Sequence, residues 1–330
     1  MRGLRSLAVA LIGSAALAGC RHAAGAEGLE ARTLRAEAPA DGASGSPVPM
    51  RATYFPASVP RAGRKGTPLL VVEPLLFQRE LLFDGPHGGL VTYLASSGFR
   101  VWLVGPAGPA IPNTTDLAHG IRIAAEAIAR EAGVRRFDLL GLSLGGEAAL
   151  GALDGLTAPG SGVEIRRVAF VGAGFDFAYP HSFAARVAPH LGPGGAPASA
   201  LCTLDGDTGC ARLFHDASGA SSWLGALPAE DPAALRPASE RFPFVARFTA
   251  LPVLFVTGKA DGIAPSESMF PLFLLWGSQE HDRRAIPKHL FLAGRENGFA
   301  RDDDQFDLFG SEEARDEVWT HLAAWLASGE

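Results

Sequence analysis

From residue 66 onward, short and nearly continuous apolar runs alternate with stretches of helical periodicity. Leu69 to Glu73, Phe99 to Val104, Phe137 to Leu140, Val168 to Gly172, Leu251 to Thr257 and His289 to Leu292 read as buried strands. Between them, Leu90 to Ser97 stopped by Gly98, and Asp116 to Ala132 stopped by Gly133, read as helices, and Glu312 to Leu326 reads as a closing helix. Strands that are apolar throughout are covered on both faces, and their alternation with helices makes them parallel. The pattern therefore predicts an α/β fold, a mostly parallel sheet with helices on both faces. From about Ala178 to Phe248 it fails, and Pro, Gly and Ser dominate. A structureless loop of that length is unfavourable in a compact domain, so an inserted cap is expected at about 178–248.

The first 20 residues follow another logic: a basic start at Arg2 and Arg5, an apolar stretch from Leu7 to Leu17, and small residues before Cys20. The stretch is too short to span a bilayer and reads as an export signal. Leu17-Ala18-Gly19-Cys20 resembles the lipobox of bacterial lipoproteins, which implies cleavage before Cys20 and a lipid on its thiol. Arg21 stands where an inner-membrane retention signal would place aspartate, which implies the periplasmic face of the outer membrane in a Gram-negative cell. Residues 21–49, rich in Ala, Gly, Pro, Ser and Glu, read as a flexible tether with a reach of about 25 to 30 Å, leaving 50–330 as one large domain. Export leads to an oxidising compartment, so Cys202 and Cys210, eight positions apart in the cap, are expected to form a disulfide, with two buried thiols as the alternative.

Composition narrows the partners. A net charge of −6 without a basic block leaves no electrostatic footprint for nucleic acid. No His, Asp, Glu and Cys cluster has ligand spacing, so no metal or cofactor is expected, and Asp302 to Asp304 read as a solvated acidic loop.

Candidate chemistry concentrates in FDLLGLSLGGEAALGAL, residues 137–153. Gly141-Leu142-Ser143-Leu144-Gly145 turns a buried strand directly into an Ala/Leu-rich helix, the pattern of a nucleophile elbow. Ser143 would stand at the helix start, where the Leu144 N–H and the positive end of the helix dipole face a developing oxyanion. Asp261 in GKADGIAP lies just beyond a later strand, where an acid orienting a histidine belongs.

The order strand, elbow, helix, strand, cap, strand, acid, strand resembles the α/β-hydrolase superfamily over about residues 66–328. GFRVWLV and the tail QFDLFGSEEARDEVWTHL resemble its acid-lipase branch, whose members hydrolyse neutral lipid esters with a Ser-Asp-His triad. The resemblance implies Ser143 and Asp261 in that triad, but its histidine position falls on Gln305. It implies Leu75 as the second oxyanion donor, in a segment reading Glu73-Pro74-Leu75-Leu76 where the branch has His-Gly-Leu-Leu; Glu73 would bring negative charge to the site. His87 and His181, in loops leaving the active edge of the sheet, are the candidates for a relocated base. Two readings stand: a membrane-anchored serine hydrolase acting on an acyl-ester or lipid-like small molecule through an altered triad, or a non-catalytic homologue binding an acyl-chain ligand or a protein partner.

Overall fold

The computed structural model describes residues 33–36, 48–58, 66–75, 79–85, 88–107, 114–176, 236–280 and 287–328. They form an eight-stranded sheet in the order β1-β2-β4-β3-β5-β6-β7-β8. Its strands are β1 (Thr33–Ala36), β2 (Met50–Phe55), β3 (Thr67–Val72), β4 (Phe99–Pro106), β5 (Arg136–Leu142), β6 (Glu164–Val171), β7 (Val253–Gly258) and β8 (Lys288–Ala293). β1, β2 and β4 pair antiparallel, and every pairing from β4 across to β8 is parallel.

Alternate strand residues feed two apolar layers, as the two-residue period of a strand requires. Leu70, Val72, Phe137, Leu139, Val253 and Phe255 face one layer, built with α3 (Thr114–Ala132), α4 (Leu144–Leu156) and α6 (Ser266–Leu275). Leu69, Val71, Leu140, Leu142, Leu254 and Val256 face the other, covered by α2 (Leu90–Ser96) and the C-terminal helices. Those run from α7 (Asp307–Gly310) through α8 (Glu312–Ala314) and a π-helical turn, Arg315–Trp319, into α9 (Thr320–Ala327). Two short pieces, α1 (Leu81–Asp84) and α5 (Ala238–Arg241), complete the set. As the pattern required, Gly98 and Gly133 lie just past α2 and α3 at φ 97° and 63°, where a Cβ would be strained.

Three features depart from the sequence pattern. Thr33–Ala36, inside the stretch expected as tether, adds an edge strand paired to Met50–Thr53. Helix α6 has no counterpart in the sequence reading, because SESMFPLFLL is apolar on most sides and carries Pro271. At the far end of the segment assigned to a cap, Ala238, Phe242, Val245 and Phe248 are buried in the main core, with the Phe248 ring 5.2 Å from Trp276. Residues 177–235, with Cys202, Cys210 and His181, lie outside the described residues, as do Cys20 and His87. Among the described residues no helix is long and apolar enough to cross a membrane.

The chain reverses its direction of travel across the sheet at β3. β4 lies on one side of it and β5 on the other, so the crevice at their carboxyl ends is the natural ligand site of such a sheet.

At the other end of β5 lies a buried charge. The Asp138 carboxylate is fully buried, 2.8 Å from the Arg166 guanidinium and 3.7 Å from Arg167, which also donates to the Trp325 carbonyl at 2.7 Å. Burial pushes the Asp138 carboxyl up to about 6, against the opposing pull of Arg166 and Arg167. Because the folded value lies above the unfolded one, near ~3.9, the native state takes up this proton first. Stability from this group is therefore gained as pH falls through 6 and lost as it rises again. Denaturant unfolding at pH 5.5 and 7.5 should show a gain of about 1 kcal/mol at the lower pH from this group alone. Asp138→Asn should remove that increment; an unchanged pH slope in the variant would refute the assignment.

Candidate active site

Ser143 leaves β5 and opens α4 with φ 50° and ψ −131°. Its N–H donates to the Val171 carbonyl at 2.9 Å, and its own carbonyl accepts from the Gly146 N–H at 2.9 Å, so both sides of the turn are tied. The helix passes close to the sheet: a Cβ on Gly146 would stand 2.4 Å from the Ala173 Cβ, and one on Gly141 would stand 2.6 Å from the Gly146 Cα. Ser143 is buried at 2% exposure, and its hydroxyl has no hydrogen bond to any described residue.

Facing the elbow is the exit of β3. The Glu73 N–H donates to the Val104 carbonyl at 2.9 Å, prolonging the β3–β4 ladder by one residue, and Pro74 then turns the chain. Leu75 follows at φ 65°. With Pro before it, this is the sign pattern of a type II turn with leucine where glycine is usual. Among the described residues, Leu75 and Ser143 are the only non-glycine positions with positive φ. Each such position costs on the order of 1–3 kcal/mol. The two stretches touch, for a Cβ built on Gly145 would lie 1.8 Å from the Glu73 carbonyl oxygen.

Asp261 lies in the loop after β7, buried at 4% exposure. Its Oδ1 accepts from the Ile263 and Ala264 N–H groups at 2.9 and 2.7 Å, local backbone bonds that fix the carboxylate plane. The loop after β8 packs directly on this one. The Asp303 carbonyl accepts from the Ala260 N–H at 2.9 Å, and a Cβ on Gly258 would stand 2.1 Å from the same oxygen. Two residues on, Gln305 is fully buried and its Nε2 donates to the Gly172 carbonyl at 2.8 Å. Gly172 directly follows Val171, whose carbonyl holds Ser143, so Gln305 lies at the strand end next to the elbow. Its Oε1 is buried without a hydrogen-bond partner among the described residues.

The described histidines lie elsewhere. His289, at the start of β8, is exposed; His321 is exposed on α9 against Phe291 and Phe299; His119 sits on α3 beside Arg122.

No model of a known protein family matches the chain, and no curated protein sequence matches it. Solved structures do. An esterase from Exiguobacterium antarcticum shares 13% identity and a TM-score of 0.52 over 86% of this chain and 97% of its own. A Pyrococcus furiosus esterase shares 11% at TM-score 0.51, over 90% and 92%, and a bacterial membrane phospholipase A shares 16% at 0.56, over 91% and 86%. The chain has the α/β-hydrolase fold. At these identities the likeness concerns backbone architecture, so the chemistry of this α/β-hydrolase fold has to come from its own side chains.

Two expectations change at its active edge. The Glu73 carboxylate is directed at Gly105, whose added Cβ would stand 2.3 Å from its Cδ, and pairs with Arg79 at 2.9 Å and Arg51 at 3.7 Å. Its charge is therefore compensated by arginines on both sides, although burial pushes the carboxyl up against their pull. The acidic triplet is also only partly a solvated loop: Asp302 is exposed and Asp304 half-buried, but the middle member turns inward. Asp303 is buried and paired to Arg301 at 3.2 Å, with burial pushing its carboxyl up to about 6. Asp302 accepts from the Arg295 N–H at 2.8 Å, and Asp304 caps the turn into α7 through the Phe306 and Asp307 N–H groups at 2.8 and 2.7 Å.

The structure adds residues that the sequence reading passed over. Gly146 matters as much as Gly145, and the doubled glycine after the serine was its signal. Glu147, in a helix whose other acid, Asp154, is exposed, is fully buried and paired to Arg241 of α5. Arg241 also donates to the Phe175 carbonyl at 3.3 Å, tying the elbow helix to the exit of β6. Among the described residues no group of three His, Cys, Asp or Glu side chains is placed to hold a metal ion.

Gly145→Ala tests how tightly the two strained stretches are pressed together. Its methyl cannot be accommodated without moving backbone, so unfolding free energy should fall by about 1–3 kcal/mol. A stability within a few tenths of wild type would show that the contact is loose.

Proposed function

We propose that this chain is a serine hydrolase of carboxylic esters, held at low turnover by glutamine in the base position, and exported on a lipid anchor. The observation that carries the reading is the pair of positive-φ residues, Leu75 and Ser143, each two positions from the contact of the Glu73 carbonyl with Gly145. A packed core gains nothing from either conformation, whereas a nucleophile and an oxyanion donor need both. Ser143 Oγ attacks the acyl carbon, the carbonyl oxygen takes up the negative charge, and the N–H groups of Leu144 and Leu75 bind it. Asp261 orients whatever base takes the serine proton. Gln305 fills the place of that base but has no lone pair able to hold a proton near neutral pH. Loss of the histidine in a serine protease costs about 10⁶-fold in kcat, so turnover here is expected to be marginal. The similar structures named as esterases and as a phospholipase fit an ester substrate.

The second reading is a binding protein with the same pocket, and the immobilised Gln305 amide favours it. With Nε2 spent on Gly172, the buried Oε1 is an acceptor suited to a ligand hydroxyl or N–H. Hydrolysis of short p-nitrophenyl esters separates the two. Wild type should be weak, and Gln305→His should raise kcat by about 10²- to 10⁴-fold, the usual worth of a positioned general base. High wild-type activity that disappears in His87→Ala or His181→Ala would mean that the base had moved. No gain in Gln305→His, together with retention of a bound acyl chain, would turn the case to the binding protein.

The anchor rests on Cys20. Cys20→Ser should shift the protein from the membrane to the soluble fraction; a variant that remains with the membranes contradicts lipidation at that thiol.

A further inference from the structure

Glu73 is the residue least expected beside an oxyanion site, yet it is buried at 6% exposure and held from both sides. Its N–H is fixed to Val104 on β4, its carbonyl rests where Gly145 leaves room, and its carboxylate reaches Arg79. Arg79 in turn donates to Thr53 Oγ1 on β2 at 2.9 Å, and Arg51, also on β2, approaches the second carboxylate oxygen. Glu73 and Arg79 bracket the turn that contains Pro74 and Leu75. Their ion pair is a chord that joins the residue before Pro74 and Leu75 to one beyond them and ties both to β2, while the Glu73 N–H ties the near side to β4.

We propose that Glu73, acting with Arg79, is a positioning residue for the oxyanion donor at Leu75. A leucine relaxes out of φ 65° unless its surroundings over-determine it. Pro74 fixes only its own φ, so the chord between Glu73 and Arg79 has to hold Leu75. With the chord cut, Leu75 returns to negative φ and its N–H swings away from the place where the acyl oxygen gathers charge. The two arginines serve a second purpose, because they offset the carboxylate that would otherwise oppose that charge. The inference rests on the reading of Ser143 as nucleophile and deepens it.

The test uses the full chain carrying Gln305→His, labelled with a long-chain alkyl fluorophosphonate whose phosphoryl oxygen occupies the oxyanion site. Three quantities are read: the maximal labelling rate, the probe concentration giving half that rate, and the final labelled fraction. Glu73→Ala and Arg79→Ala should each lower the maximal rate by about 10- to 100-fold, somewhat less than outright loss of an oxyanion donor. The half-saturating concentration and the labelled fraction should stay unchanged. Glu73→Gln, which keeps the size and a polar oxygen beside Arg79 but not the charge, should lose less, and Arg79→Lys should recover part of the rate. Variants that label at the parental rate, or that lose only labelled fraction, would overturn the proposal and reduce the ion pair to support of the fold; if the alanine variants do not fold, Glu73→Gln and Arg79→Lys carry the same comparison. No labelling at Ser143 in the wild type or in Gln305→His would be a different result, since it removes the nucleophile and this inference with it.

Discussion

Everything at the carboxyl edge of the sheet depends on how closely backbone can approach backbone there. Helix α4 starts almost on top of three strand ends, with Ala173 Cβ, Gly146 Cα and the Glu73 carbonyl oxygen all within 2.6 Å of where a Cβ would be at residue 146, 141 or 145. At such separations little more than a methyl group stands between the segments: the β3 exit and the elbow meet main chain to main chain, and the β6 exit meets the helix through the Ala173 Cβ. The loop after β8 is seated in the same manner, with Asp303 against Gly258 and Gln305 against Gly172. Four segments distant in sequence therefore converge as a nearly rigid unit, so a small displacement of one is felt by all.

Much of this was legible in the chain because it is local. Strands buried on both faces are apolar throughout, as LLVV and VLFV are, and stopping glycines mark helix ends whatever the tertiary context. The elbow, too, is a short-range pattern whose residues sit next to one another. What remained hidden involves partners far apart in sequence. Glu73 read as a charge misplaced near an anion site because Arg51 lies on β2 and Arg79 beyond the turn, and neither spacing announces the contact. Asp303 read as solvated because nothing in Asp302-Asp303-Asp304 says that its middle member turns inward to Arg301. Strand β1 was masked by its flanks, whose composition is that of a tether, and α6 by Pro271 and by an apolar run without clear period.

The carboxyl edge of the sheet combines strained backbone with buried polar side chains, and the two behave differently in energy. Backbone strain at Leu75 and Ser143 is held by packing and is lost only if the packing goes. The identity of residue 305 is almost neutral to the fold: an amide donating to Gly172 satisfies the site much as another ring or amide donor of similar size would. Under the proposed function, reactivity would be tuned at this one buried position. The converse holds for Glu147 and Arg241, whose pairing in the interior makes either one alone a liability of several kcal/mol, roughly 3–5.

Strand β1 has a consequence for how the molecule meets its substrate. With a lipid on Cys20, the residue that enters the sheet is Thr33 rather than Met50, and thirteen residues span at most about 45 Å even when fully drawn out. The body is then confined to a thin shell over the bilayer, entering it from the β1 edge of the sheet. Esters dissolved in that bilayer are encountered at the high effective concentration of a tethered pair, whereas soluble esters gain nothing. The slow turnover proposed for this chain would suit that situation, in which each encounter lasts long and the search for substrate is confined to a surface.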